Sequence, residues 1–234
     1  MVPDYADMEL RKEALATARL LLDCGAVRFD TGTTFRIGEG VESPLHVDAR
    51  RVLAWPGPRN RLIDLAVEAI ERDVGGDGLD AIAACTEGQG VPFATLIADR
   101  LDLPLLFVRR GPSDDPHKSV VESRVERGWR VMLVEQLATD GHRKARLIAP
   151  LQQAGANVQE LFVLFQYGVF DRIHENLSPL GVRLHALATW WDLLEVAREG
   201  AYLPQDALDE IDRFLRNPDR WCPTCRRVEE DDGA

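Results

Sequence analysis

The chain has 234 residues, 45% of them hydrophobic, enough to fill the core of one large domain or two small ones. Lys and Arg total 28 against 39 Asp and Glu, a formal net charge of −11, which argues against a nucleic-acid backbone as partner but leaves room for a phosphorylated small molecule at a local positive site. The longest apolar runs fall well short of a membrane span and the opening MVPDYADMELRKE is charged where a signal peptide would be apolar, so a cytoplasmic protein with no membrane partner is expected.

In chain order, MELRKEALATARLLLDCGAV has apolar residues at helical spacing. FDTGTTFRIGEGVESPLHVDARR follows, with Gly, Ser and Pro punctuating short β-like runs, and predicts a strand hairpin. PRNRLIDLAVEAIERDV predicts an amphipathic helix opened by Pro58. LDAIAAC reads as a buried strand, GVPFATLIADRLD as a helix, LPLLFVRR and WRVMLVE as strands, HRKARLIAPLQQAGA as a helix and NVQELFVLFQYG as a strand. Continuous apolar strands separated by helices predict an α/β fold with a central parallel sheet covered on both faces. Pro150 inside the helix after Gly141 removes a helical hydrogen bond, typically at about 3 kcal/mol, which an ordinary core helix rarely accepts.

The four cysteines do not form a disulfide framework. Cys24 and Cys85 read as small buried hydrophobes, and Cys222 and Cys225 as a lone C-x-x-C in an acidic tail, residues 222–234. A structural zinc needs four ligands, so the pair would need partners from elsewhere. No metal ligands are assigned.

Ligands of such sheets bind beyond the carboxyl ends of the strands, where three stretches carry unusual residues: Cys85 to Gly90, Arg109 to Ser119, and the loop after VMLVE. In the last, the backbone N–H groups of Asp140, Gly141, His142 and Arg143 would add to a helix N-terminal dipole and Thr139 offers a hydroxyl, which is the physics of a phosphate cradle. Glu135, just upstream, can accept hydrogen bonds from ribose hydroxyls. Taken alone the pattern is weak, since many αβ turns have it.

The order and spacing of FRIGEGVESPLHVDARR, GQGVPFATLIADRLDLPLLFVRR and RVMLVEQLATDG resemble the orotate phosphoribosyltransferases, most closely the alphaproteobacterial form. The resemblance runs from roughly Leu10 to Trp221, through FQYGVF, GVRLHALATWWDLL and FLRNPDRW, and stops before the C-x-x-C tail. It implies a type I phosphoribosyltransferase fold in a single domain over residues 1–221, with a small N-terminal hood over about residues 1–55, and a homodimer. It also implies a reaction in which orotate displaces pyrophosphate from magnesium-bound phosphoribosyl diphosphate to give orotidine monophosphate.

By that resemblance Glu135 and Gln136 hold the ribose diol, where the family has two adjacent acids; glutamine can hydrogen-bond a hydroxyl but brings no charge for an oxocarbenium-like transition state. Thr139 and Gly141 match the phosphate loop, while Ala138, His142 and Arg143 replace a Thr, a Gly and a small hydroxyl residue. Arg109 and Arg110 match the basic pair that meets the diphosphate from this strand end and across the dimer. The lysine expected beyond them falls on Ser113, followed by Asp114, Asp115 and Pro116, with His117 and Lys118 just downstream as substitutes. His46 lies in the region that contacts orotate, and Trp190 and Trp191 read as packing residues. Two functions follow: the transferase, with these residues in these roles, or a non-catalytic paralogue that binds a nucleotide or presents an interaction surface.

Overall fold

The structure, a computed structural model, describes residues 8–30, 34–37, 41–75, 78–109, 120–170 and 172–221. Arg110, Ser113 to Lys118 and the Cys222/Cys225 pair lie outside the described residues.

The N-terminal helix α1 (Met8–Asp23) buries Ala14, Thr17, Ala18 and Leu21, the 3-4 spacing of one helix face. Four three-residue strands follow: β1 (Val27–Phe29), β2 (Phe35–Ile37), β3 (Val41–Ser43) and β4 (Leu45–Val47). They form two antiparallel pairs, β1 with β4 and β2 with β3, so the expected hairpin is a nested double one. Ser43 Oγ accepts from the Leu45 N–H at 3.0 Å and closes the corner between β3 and β4. A 3₁₀ turn over Ala49–Ala54, capped by Asp48, leads into α2 (Pro56–Asp73), which begins two residues before the expected Pro58 because Pro56 itself occupies the first helical position.

The main sheet is built from β5 (Ala81–Cys85), β6 (Leu105–Arg109), β7 (Val120–Val121), β8 (Arg130–Ala138), β9 (Asn157–Gln166) and β10 (Arg183–Thr189) in the order β10-β9-β8-β5-β6-β7. All neighbours are parallel except β7, which runs antiparallel on the β6 edge. The helices α3 (Val91–Leu101), α4 (His142–Gln153), α5 (Arg172–Leu177), α6 (Trp190–Glu199) and α7 (Gln205–Arg216) complete the described elements. β10 lacks a continuous apolar run and is only partly buried until its last residues, as suits an edge strand paired on one side; this is why periodicity alone does not find it.

Alternation along the central strands divides the core into two layers. Ile82, Ala84, Met132 and Val134 point into a layer with α1, α2, α3, α6 and α7, whereas Ala81, Ala83, Val131 and Leu133 point into a layer with Leu147, Ile148 and Leu151 of α4. Pro150 is buried within α4. Leu45, Val47 and Ile37 of the small strands join the first layer, and Tyr167 Oη donates to the Leu45 carbonyl at 3.1 Å, tying the N-terminal strands to the end of β9. Trp190 is buried edge-on against Phe165 and Tyr167, and Trp191 lies under the Arg216 guanidinium, so both tryptophans pack.

Candidate active site

Continuing the alternation of β8 past Leu133 and Val134 sends Glu135 toward α4 and Gln136 toward the opposite layer, at the carboxyl end of the sheet. Both are buried, at 5% and 2% exposed. They form the floor of a crevice of about 360 Å³, whose walls include Arg36, His46, Cys85, Glu87, Gly88, Gln89, Thr139, Asp140, Gly141, Arg143 and Lys144.

Two glycines let the loop after β5 close over this floor. A Cβ on Gly90 would stand 2.8 Å from Glu135 Cα, and one on Gly88 would stand 3.0 Å from Glu135 Oε1, so side chains there would force the loop off the strand. Gly141 caps α4 with φ +78, a left-handed conformation that L side chains rarely adopt, and its missing Cβ faces Ile173. The Asp140 carbonyl accepts from Asn176 Nδ2 at 2.7 Å, which pins the loop to α5.

The polar atoms of the floor are unevenly satisfied. Glu135 Oε2 receives Lys144 Nζ at 2.6 Å, but Glu135 Oε1 and both amide atoms of Gln136 are buried without a protein partner. Unpaired buried polar atoms are costly in a closed interior, and three together beside a crevice leave hydrogen-bonding capacity open to what enters it. In the cradle, Asp140 Oδ1 accepts from the His142 N–H at 3.2 Å, so this donor of the expected set is engaged within the loop. The His142 ring lies 3.5 Å from Arg146, away from the crevice wall, whereas Arg143 is exposed on that wall.

Across the crevice His46 stacks at a tilt on Phe35, with ring centroids 5.3 Å apart, and burial lowers its imidazole below the ordinary histidine value. Its Nδ1 is buried and unpartnered, and Arg36 joins it on the wall. Of the residues picked out by sequence, the structure therefore brings together Glu135, Gln136, Thr139, Asp140, Gly141, Arg143 and His46. Arg109 ends β6 outside the crevice lining, with its Nε donating to Glu122 at 2.7 Å.

Sequence reasoning missed Arg36 and Lys144, and marked Glu87 and Gln89 only as part of the stretch Cys85 to Gly90, without a role. Lys144 had a signal: the first turn of α4 carries His142, Arg143 and Lys144 and no acid, the reverse of what the helix dipole favours. Among the described residues no group of three or more His, Cys, Asp and Glu side chains could hold a metal ion, and no helix is long and apolar enough to cross a membrane.

A parallel sheet that opens its carboxyl end onto an acid, an amide and a glycine-capped helix loop, beneath a small antiparallel N-terminal unit, defines a phosphoribosyltransferase of type I. Solved structures share it: the orotate phosphoribosyltransferase of Aeropyrum pernix superposes with a TM-score of 0.66 at 29% identity, over 80% of this chain and 99% of that one. The Leishmania donovani UMP synthase gives 0.72 at 24% identity over 86% of this chain, which spans 42% of that longer protein. In sequence, the orotate phosphoribosyltransferase of Ruegeria sp. (strain TM1040) is 38% identical over 208 residues, 89% of this chain and 92% of the relative. That of Roseobacter denitrificans is 36% identical over 221 residues, 94% of this chain and 97% of the relative. No family model matches the chain. The chain belongs to the orotate phosphoribosyltransferase family.

Proposed function

We propose that this protein transfers the phosphoribosyl group of phosphoribosyl diphosphate to orotate, releasing pyrophosphate and forming orotidine monophosphate, at a rate reduced by the neutral Gln136. The observation that carries the reading is the trio of bare buried polar atoms, Glu135 Oε1 and the Gln136 amide oxygen and nitrogen, beside the Gly141-capped loop. A vicinal diol supplies both donors and acceptors, matching a carboxylate oxygen and an amide in a way that a lone phosphate does not.

In this reading the 5′-phosphate lies against Thr139, Gly141 and the start of α4, where backbone N–H groups and the helix dipole favour an anion and Arg143 adds a charge-assisted donor. The ribose diol rests on Glu135 and Gln136, and the base lies toward His46 and Arg36, the latter a cation suited to a carboxylate on the base. Magnesium would enter as part of the substrate, held by its phosphate oxygens, because among the described residues no cluster of carboxylates could hold the ion. When bound, the ion neutralises diphosphate charge as the leaving group departs. Glu135 faces the cationic ribose of the transition state, with Lys144 behind it reducing the net field it exerts. Roles for Arg109, Arg110 and Lys118 on the diphosphate, and a homodimer that carries Arg110 into a neighbouring site, belong to the same proposal.

The Glu135–Lys144 pair and neutral Gln136 leave no net charge on the buried floor, and this favours as second reading a nucleotide-binding paralogue without turnover. A coupled assay for orotidine monophosphate with magnesium, orotate and phosphoribosyl diphosphate separates the two: product formation supports the transferase, and calorimetric binding of orotidine monophosphate without product supports the paralogue.

A further inference from the structure

The basic first turn of α4 divides its work. Arg143 is exposed at the crevice wall, where an incoming anion meets it. Lys144 is withdrawn: its side chain is 13% exposed and its Nζ lies 2.6 Å from Oε2 of Glu135, itself 7% exposed in its side chain. A cation at a helix N-terminus is unfavourable against the dipole, and here a buried carboxylate on β8 offsets that cost. The carboxylate needs the lysine as much, because a buried charge without a partner is expensive and Gln136 beside it supplies none.

The pairing is one-sided. Lys144 takes Oε2 only; Oε1 has no protein partner and borders Gly88, where a Cβ would stand 3.0 Å away. An ion pair that served stability alone would gain from satisfying both oxygens. This one fixes the rotamer and leaves one oxygen for the crevice.

We propose that Lys144 is a positioning residue for the phosphoribosyl substrate. It holds Glu135 so that Oε1 meets a ribose hydroxyl, and it joins that carboxylate to the phosphate loop, because the same turn of α4 carries Lys144 and the 5′-phosphate contacts. Grip on the phosphate and grip on the ribose are thereby linked. The inference rests on the transferase reading and assigns within it a residue that touches no reacting atom.

The test measures KM for phosphoribosyl diphosphate and for orotate separately in wild type, Lys144→Met, Lys144→Arg, Glu135→Gln and the double variant Glu135→Gln/Lys144→Met. Lys144→Met is expected to raise the KM for phosphoribosyl diphosphate about tenfold while leaving that for orotate within about twofold, since only one substrate meets Glu135. Lys144→Arg restores most of the loss. The double variant, which removes both buried charges and so keeps the fold, is no worse than Glu135→Gln alone, because the lysine acts through the glutamate. Equal rises in both KM values, no rescue by arginine, or additive losses in the double variant overturn the proposal. If wild type forms no product, the transferase reading fails separately, and calorimetry with ribose 5-phosphate decides the positioning role. Weaker binding by Lys144→Met than by wild type, with no further weakening in the Glu135→Gln background, supports it; equal affinities, or no binding by wild type, overturn it.

Discussion

Glu160 on β9 and Glu135 on β8 stand on adjacent strands and are almost equally buried, at 6% and 5% exposed. Around Glu160, toward the amino end of the sheet, both oxygens are taken. Arg183 donates to Oε1, and the His185 ring lies 2.7 Å from Oε2 while its other nitrogen lies 3.4 Å from Asp73. Asp73 meets Arg72, and Arg72 meets Glu13, so the chain of contacts fastens α1 and α2 to β9 and β10. Around Glu135, at the carboxyl end, one oxygen is taken and three neighbouring polar atoms are left bare beside a crevice. The difference separates a staple from a candidate site: burial and charge are alike, and the protein completes its own hydrogen bonds around Glu160 but not around Glu135.

The comparison breaks hardest at Glu135. Glu135→Ala should lower turnover by about 10²-fold or more, as loss of a group facing transition-state charge does. It should also cost about 3 kcal/mol of stability by stranding Lys144, read from product formation and thermal melts. Should turnover survive, the bare oxygen is not meeting substrate. Gly141→Ala tests the cradle: a left-handed cap and the nearby Ile173 should together cost about 2 kcal/mol and weaken phosphate-ester binding, measured by denaturant unfolding and calorimetry.

Gln136→Asp sharpens the contrast by adding charge to the site, and should raise kcat about tenfold with little change in binding of the 5′-phosphate. Glu160→Gln probes the staple and should remove about 1 kcal/mol, since Arg183 is free to turn to water, with both KM values unmoved. A change in either KM would mean that the two ends of the sheet are coupled.

The smallest effect concerns His46. Burial holds its imidazole below the ordinary value, with Asp48 partly opposing. The unfolded chain therefore takes up the proton first, near pH 6.5 or about that. Stability from the neutral ring is complete above that value and is lost as pH falls through it toward the lower folded value. His46→Asn should flatten that part of the melting-temperature profile relative to wild type, while leaving the profile above pH about 7 parallel to it.

Much of the architecture was legible in the sequence because its central strands are continuous apolar runs: AIAAC, VMLVE and ELFVLF fill both faces of a covered sheet, and LLFVR fully buries one. The edge strand β10, with polar and half-exposed positions, carried no such signal. The start of α4 was legible through Gly141, since a left-handed cap at a strand–loop–helix junction selects glycine. The engagement of the His142 N–H by Asp140 was not, because it depends on a side-chain rotamer within the loop.

Chain order and residue type alone determined that an acid and an amide follow the apolar run of β8 and that a basic helix start comes after the loop. That β8 runs on to Ala138, three residues past the expected end at Glu135, so that period-two alternation sends Glu135 and Gln136 to opposite faces, came from the structure. Only the tertiary structure decided that Lys144 turns inward to one oxygen of Glu135 while Arg143, one residue earlier, stays at the wall, and that His46 and Arg36 arrive from the N-terminal strands to face them. The physical reason is that adjacent helix positions point about 100° apart, so which cation meets the buried carboxylate is set by how α4 packs on β8 through Leu147, Ile148 and Leu151.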